Sequence, residues 1–170
     1  MENNIIINGN YVYILLQNNI KTKISLCNLN MANDFKGRWY AVYDKRVKNY
    51  YVYGHIRIND KKTTIKLHRY LKSVIDPKIK IDHINMDTLD NSDENLNIVT
   101  DSENKQNSKA KGYYFHKKSG KYVAQIVINK IPKYLGVYPN KAEAREVYIL
   151  EKLKHHPYWA SINKGATINV

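Results

Sequence analysis

Between residues 67 and 107 the chain turns acidic and amide-rich, and everything on either side of that stretch is basic. Residues 67–107 carry 5 Lys/Arg against 8 Asp/Glu (−3), residues 1–66 carry 11 against 4 (+7), and residues 108–170 carry 12 against 3 (+9). Cations flanking a small carboxylate-bearing centre suit a metal-assisted site that works on a polyanion. The pattern inside the centre predicts strand, loop, strand, helix. Residues 78–81 alternate Ile79 and Ile81 with lysines, as a strand does, and Asp82 and His83 fall where it ends. Residues 85–94 have Asp/Asn-rich loop chemistry, and residues 96–100 alternate Leu96 and Ile98 as a second strand. Thr100 with Glu103 three residues later matches a capping box. A helix is therefore expected from about Asp101, with Asn104 in its first turn.

The chemistry such a cluster suits is phosphodiester hydrolysis. One hard divalent cation, held by a carboxylate and an amide oxygen, neutralises a scissile phosphate and stabilises the leaving oxygen. A neutral imidazole takes a proton from the attacking water, its unperturbed pKa of about 6.5 being near working pH. Asp82 and Asn104 supply the first function, His83 the second. Neighbours on a strand point to opposite sides, so Asp82 and His83 share a site only where the strand bends or ends.

The spaced set Leu67-His68-Arg69, Asp82-His83-Ile84-Asn85, Leu89-Asp90-Asn91, Glu94-Asn95-Leu96, Val99-Thr100 and Ser102-Glu103-Asn104 resembles the HNH nucleases of the ββα-metal fold. The closest branch is the phage and intron-borne homing type. The resemblance implies His83 as general base, Asp82 and Asn104 as metal ligands, and Asn95 as the central residue that braces the loop. Two positions depart from the family: its loop often has Gly and Arg where this chain has Met86 and Ser92. The first bears on loop geometry, the second removes a possible phosphate contact.

At 170 residues the chain has room for one or two small domains. No apolar run approaches the ~20 residues that span a bilayer, and no signal peptide is evident, so an intracellular setting and no membrane partner are expected. The single Cys27 excludes an internal disulfide and a cysteine-based zinc site; zinc is not expected. The lysines are spread through strand-like, tyrosine-rich segments, which favours nucleic acid over a membrane surface.

In chain order, residues 1–10 read as a loose start and residues 11–16 and 20–25 as a hairpin about Asn18-Asn19. A short helix capped by Ser25 is expected over 26–34. Tyr-, Val- and Ile-rich strands follow over 37–43 and 50–59. A turn at 59–62 leads to a strand over 63–67 and a helix over 68–75. Lys45, Arg46, Lys48, Tyr50 and Tyr51 form a basic, aromatic patch that either rides on a DNA backbone or is a solvated hairpin tip. His68 reads as packed or phosphate-facing, and Arg69 as meeting a phosphate or an acidic neighbour.

Residues 105–111 read as a linker. Three strands follow, over 112–116, 121–129 and 133–138, with turns at Ser119-Gly120 and 130–132. A helix is expected from Asn140 to about His155, ended by Pro157. Its core face is expected to hold Ala142, Ile149, Leu150 and Leu153, with Val147 beside them. Gly120-Lys121-Tyr122-Val123-Ala124, Leu135-Gly136, Ala142-Glu143-Ala144, Tyr148 and the tail Trp159-Ala160 to Asn163 resemble the APETALA-type, or ethylene-response-factor, DNA-binding domain. That resemblance implies a sheet laid in the DNA major groove with the helix behind. By alternation Ala124 and Ile126 face the helix, and Val123, Gln125 and Val127 face DNA. Gln125 suits adenine, Lys117, Lys118, Lys121 and Lys133 suit phosphate or guanine, and Tyr134 matches a sugar-stacking aromatic of the family. The alternative is that these lysines only solubilise an exposed sheet.

The expected fold is α+β: a small antiparallel N-terminal sheet leading into a ββα-metal HNH cassette (67–107, within a domain 1–107), then a three-stranded sheet packed on one helix (108–170). The expected function is a site-directed DNA endonuclease of homing type. It is expected to nick one strand of double-stranded DNA with magnesium, or manganese, as a phage- or mobile-element-encoded protein in a bacterial cytoplasm. A monomer is expected, with a DNA-induced dimer as the alternative. Two rival functions stand beside it: a DNA-binding regulator or packaging accessory that cleaves nothing, and an RNA-binding protein.

Overall fold

The computed structural model describes residues 1–58 and 60–164. The chain is α+β and divides into two compact units, Met1–Asp101 and Ser102–Val170. No helix among the described residues is long and apolar enough to cross a membrane.

The first unit opens with β1 (Ile5–Asn8), β2 (Tyr11–Leu15) and β3 (Lys21–Ser25), an antiparallel meander. The loose start expected at residues 1–10 is instead a strand. Ile5 lies opposite Ile14, and the chain reverses at Gly9-Asn10. Asn3 pins the start by donating to the carbonyls of Leu15 and Trp39 (both 2.9 Å) and accepting from Trp39 N (2.7 Å). The expected hairpin turn is present, with both Asn18 and Asn19 at positive φ, a conformation asparagine tolerates. After β3 comes a single 3-10 turn, Leu26–Asn28, and then α1 (Leu29–Asp34). Ser25 does not cap it. Its hydroxyl accepts from Asp93 N (2.8 Å) and donates to Glu94 (3.3 Å).

A second meander, β4 (Tyr40–Asp44), β5 (Asn49–Ile58) and β6 (Lys61–Lys66), leads into α2 (Leu67–Leu71). The turn expected at 59–62 falls partly on Asn59, outside the described residues. The helix is shorter than the expected 68–75 because Ser73 sits at φ 52, a left-handed residue that stops it. Val12, Ile14, Ile24, Phe35, Trp39, Val52, Leu67 and Leu71 form the core. Phe35 and Trp39 stack at 3.9 Å over Gly54, where any Cβ would strike both rings.

The expected strand–loop–strand is β7 (Lys80–His83) antiparallel to β9 (Leu96–Val99), with Asp82 opposite Asn97 and His83 opposite Leu96. The intervening loop contains β8 (Asp90–Asn91), which pairs in parallel with β3 (Lys23 with Asp90, Ile24 with Asn91). The N-terminal sheet therefore does more than precede the loop; it includes part of it. The expected helix after β9 is α3 (Asp101–Gln106).

In the second unit the sheet is β10 (Tyr113–His116), β11 (Lys121–Ile128) and β12 (Ile131–Tyr138), with α4 (Lys141–His155) across it. The turn lies at Asn129-Lys130, both at positive φ, one residue before the expected 130–132. Pro132 sits in β12, an edge strand, where a missing N–H is tolerated. Asn140 caps α4, its Oδ1 accepting from Ala142 N and Glu143 N (both 3.0 Å). The core face of α4 differs from the expected one. Ala144, Tyr148 and Lys152 are buried, whereas Leu150 and Leu153 are each 41 % exposed and Ala142 faces water. Lys152 lies over Trp159 (4.6 Å) and Tyr148 (5.7 Å), and burial lowers its pKa to about 8. Pro157 both ends α4 and starts α5 (Pro157–Ile162). Gln106 of α3 accepts from Tyr158 N (3.0 Å) and Trp159 N (3.3 Å), which ties α3 to this unit and sets the division earlier than residue 107.

Candidate active site

His83 ends β7 and is 5 % exposed; Asp82 beside it is 8 % exposed. The chain turns at once, with Met86 N donating to His83 O (2.9 Å) and Met86 at φ 62. That left-handed position is one a glycine adopts without cost, and Met86 adopts it at roughly 1 kcal/mol of strain or more.

Asn95 holds this loop from inside. Its Oδ1 accepts from Asn85 N (2.8 Å), its Nδ2 donates to Asp90 O (2.7 Å), and its backbone carbonyl accepts from Ile84 N (2.9 Å). All three bonds are to loop backbone, the arrangement expected of the bracing residue. Ser92 is also a brace: fully buried, it donates from Oγ to Asp90 Oδ1 (2.6 Å). Asp90 further bonds Lys23 Nζ (2.8 Å) on β3. Burial opposes its ionisation, but the bonds from Lys23 and Ser92 prevail and hold the carboxyl below its ordinary range.

Around His83 the surroundings are aromatic and polar. Its Nε2 lies 3.3 Å from Asn91 Oδ1. The His68 ring stands edge-on to it (5.0 Å, 88°), and Tyr51 lies 6.3 Å from His83 and 6.0 Å from His68. Burial pushes the His83 pKa below its usual value, although the Asn91 bond and the Asp82 carboxylate favour the protonated ring. His83 is accordingly neutral at pH 7. His68 is lowered further, to about 2, by burial first and then by His83 and Lys66. Of the two sequence readings of His68, packed or phosphate-facing, the geometry is the packed one.

The Arg69 guanidinium donates to the backbone carbonyls of Ile79 (2.9 Å) and Asp76, rather than to an acidic side chain. Arg69 thereby ties α2 to the segment that leads into β7. Asn104 stands exposed on α3, in the second unit. Among the described residues no three His, Cys, Asp or Glu side chains gather as a metal set. Sequence reasoning missed Thr22 altogether. It is fully buried on β3, donating to Leu89 O (2.7 Å) and accepting from Asn91 Nδ2 (2.8 Å). Nothing in its sequence context signals a partner 69 residues away.

In the second unit the outward sheet face carries Tyr114, Lys121, Gln125, Val127 and Tyr134, all exposed, Tyr134 by 65 %. Gln125 and Tyr134 are cross-strand partners. Val123, expected to face DNA, is buried, with Tyr114 and Val137 opposite it on the flanking strands. Lys133 is opposite Ile126, on the helix side, and bonds Glu151 of α4 (2.8 Å), so it is not part of the outward face. Lys117 and Lys118 are exposed at the β10–β11 turn, next to a His116–Ser119 side-chain bond (2.9 Å). No family model matches this chain, and it matches no curated protein and no solved structure.

Proposed function

We propose that this chain is a DNA endonuclease whose first unit hydrolyses a phosphodiester and whose second unit binds duplex DNA. The observation that carries the reading is the buried His83, neutral at pH 7 and set beside the Asp82 carboxylate at a strand end. A neutral imidazole there accepts a proton from water as the water oxygen attacks phosphorus. The bond from phosphorus to the 3′-oxygen breaks, leaving a 5′-phosphate and a 3′-hydroxyl once that oxygen takes a proton. The hydrogen bonds that Asn91 and Asn95 accept from His83 Nε2 and Asn85 N would keep ring and loop in place between turnovers.

The donors suit a hard cation. Asp82 offers a carboxylate, and magnesium is commonly held by one or two carboxylates with substrate phosphate and water completing its shell. Magnesium or manganese so bound would neutralise charge on the phosphate and the leaving oxygen. Asp82 is the residue of the first unit that would hold it, and Asn104 is the further ligand implied by the HNH resemblance.

The +9 charge of residues 108–170 and the outward aromatic and amide face of β10–β12 support binding to duplex DNA. One cluster hydrolyses one strand per engagement, so the expected product is a nick at an asymmetric site, made by a monomer. A homing endonuclease of a phage or other mobile element is the setting that fits. The test is supercoiled plasmid incubated with and without magnesium. Open circles should accumulate with magnesium and linear DNA should follow slowly. Prompt linearisation at low protein concentration would replace the nicking monomer with a dimer on DNA. Intact plasmid in the presence of tight duplex binding would leave a binding protein that cleaves nothing.

A further inference from the structure

The N-terminal sheet carries a residue whose burial and bonding lead directly to His83. Thr22 lies on β3 and Asn91 on β8, both all but inaccessible to solvent, and the two strands pair in parallel. Three bonds fix which way the Asn91 amide points. Leu89 O can only accept, so Thr22 Oγ1, 2.7 Å away, donates to it. With its one proton committed, Thr22 must accept from Asn91, so the Asn91 atom 2.8 Å away is the NH2 group. Thr88 O, 3.4 Å from the same nitrogen, imposes the same choice independently. The amide oxygen is then the atom facing His83 Nε2 at 3.3 Å, and an oxygen accepts. Nε2 must therefore bear a hydrogen, and when the ring is neutral its lone pair is on Nδ1.

We propose that Thr22 and Asn91 are positioning residues for His83, a buried chain from the N-terminal hairpin that sets the tautomer and orientation of the ring. The hairpin is then a working part of the site. Neither residue touches the reacting atoms; each acts through the next. Partners that orient metal-ligating histidines change metal affinity or activity by about 10–100-fold when removed, and a loss near the lower end of that range is expected here. The kinetic part of this inference rests on the endonuclease reading. The tautomer does not, and is measurable in a protein that cleaves nothing.

The experiment is long-range proton–nitrogen correlation of the histidine rings in full-length, nitrogen-15-labelled protein at pH 7, with His83 assigned by its loss in His83→Gln. His83 should show a protonated Nε2 and an unprotonated Nδ1. Asn91→Leu, which removes the acceptor, should convert this to a mixture of tautomers. Thr22→Val keeps the shape of Thr22 without its hydroxyl and covers the case in which Asn91→Leu does not fold; it should give a smaller change of the same kind, and Thr22→Ser should restore the original spectrum. In plasmid nicking, Thr22→Val should lower kcat about 10-fold with KM unchanged, and Thr22→Ser should recover it. A His83 protonated on Nδ1 in the parent protein overturns the proposal, as does an unaltered His83 spectrum in folded Thr22→Val. Absence of nicking by every variant and by the parent would refute the endonuclease reading, while the spectra would still decide the chain.

Discussion

The two units of this chain use similar materials in opposite directions. Both combine small, mostly antiparallel sheets with helices, yet the first turns polar side chains inward and the second turns aromatic ones outward. Asp82, His83, Thr22, Asn91, Ser92 and Asn95 are all at most 8 % exposed, whereas Tyr114, Val127 and Tyr134 are about half exposed or more. Burying that many polar groups is costly unless each is bonded, and here the bonds are made within one loop and its flanking strands. Such an arrangement holds a few atoms in fixed relation, which is what chemistry needs. An outward face of rings, amides and lysines is left in contact with solvent, and under the proposed function it is the surface that meets DNA. Under the proposed function, cleavage and binding should therefore be separable by mutation.

The largest expected effect tests that separation directly. His83→Ala should lower nicking by about 10²–10⁴-fold, in line with the loss of a general base, while duplex affinity in a gel-shift assay stays near that of the parent. Asp82→Ala and Asn104→Ala should weaken activity at limiting magnesium by roughly 10–100-fold, recoverable in part at higher metal. Cleavage by His83→Ala at the parental rate would remove the first unit from the comparison.

Acid should act on the first unit before the second. The pKa of His68 is about 2 in the folded protein and about 6.5 in an unfolded chain. Above pH 6.5 both states are neutral and nothing is lost. Below it the unfolded chain binds a proton that the folded one excludes, so stability falls by about 1.4 kcal/mol per pH unit. Between pH 6.5 and 5 the loss is about 2 kcal/mol from this group alone. Urea unfolding at pH 7 and 5, followed by hydrogen exchange resolved for each unit, should show it, and His68→Leu should flatten it. An equal acid response in His68→Leu would show that the ring is not held neutral.

Charge should matter most for the second unit. Replacing Lys117, Lys118 and Lys121 by alanine should weaken duplex binding about 10-fold at moderate salt. The log–log salt slope should shrink by about 0.9 for each lysine that met a phosphate. Lys133→Ala should do little, since that side chain is engaged by Glu151. An unchanged slope in the triple variant would mean that the outward face is not the binding surface.

The smallest effect concerns Lys152, a charged side chain buried among the described residues of the second unit. Lys152→Met should stabilise that unit by about 1 kcal/mol at pH 7, because an ammonium among aromatic rings loses more hydration than the rings return. Lys152 is lowered to about 8, so the unfolded chain still holds its proton where the folded one has shed it. Parent stability should rise with pH between about 8 and 10.4, and the methionine advantage should narrow over the same range. A parent more stable than Lys152→Met at pH 7 would make the boxed lysine a favourable contact.

Local patterns made β2, β3, β7, β9 and α4 legible in the sequence, since alternation and an asparagine cap are properties of neighbouring residues. The His83–Asp82 pair and the Asn95 brace were legible because their spacing sits within one short loop. What escaped was set by distant contacts. β1 became a strand because β2 was there to receive it, and Thr22 became part of the loop's bonding because β8 docks on β3. The face of α4 was misjudged because size and apolarity were weighed, whereas the sheet accepted the flat ring of Tyr148 and the long stem of Lys152 and left two leucines outside. Lys133 was misassigned because an irregularity in the β11–β12 register between Ala124 and Gln125 alters which β12 residues share a face.

The pairing of β3 with β8 also sets an order of events in folding. Thr22 and Leu89 are 67 residues apart, and closing a loop of that length costs entropy before any contact repays it. The β2–β3 hairpin and the β4–β5–β6 meander close only short loops and can form early. His83 is then among the last groups to be fixed, in the chain emerging from a ribosome as in the refolding one. A destabilising change at Thr22 should therefore speed unfolding and leave the folding rate almost untouched. In the proposed endonuclease, the catalytic centre would be ordered only once nearly all of the first unit is in place.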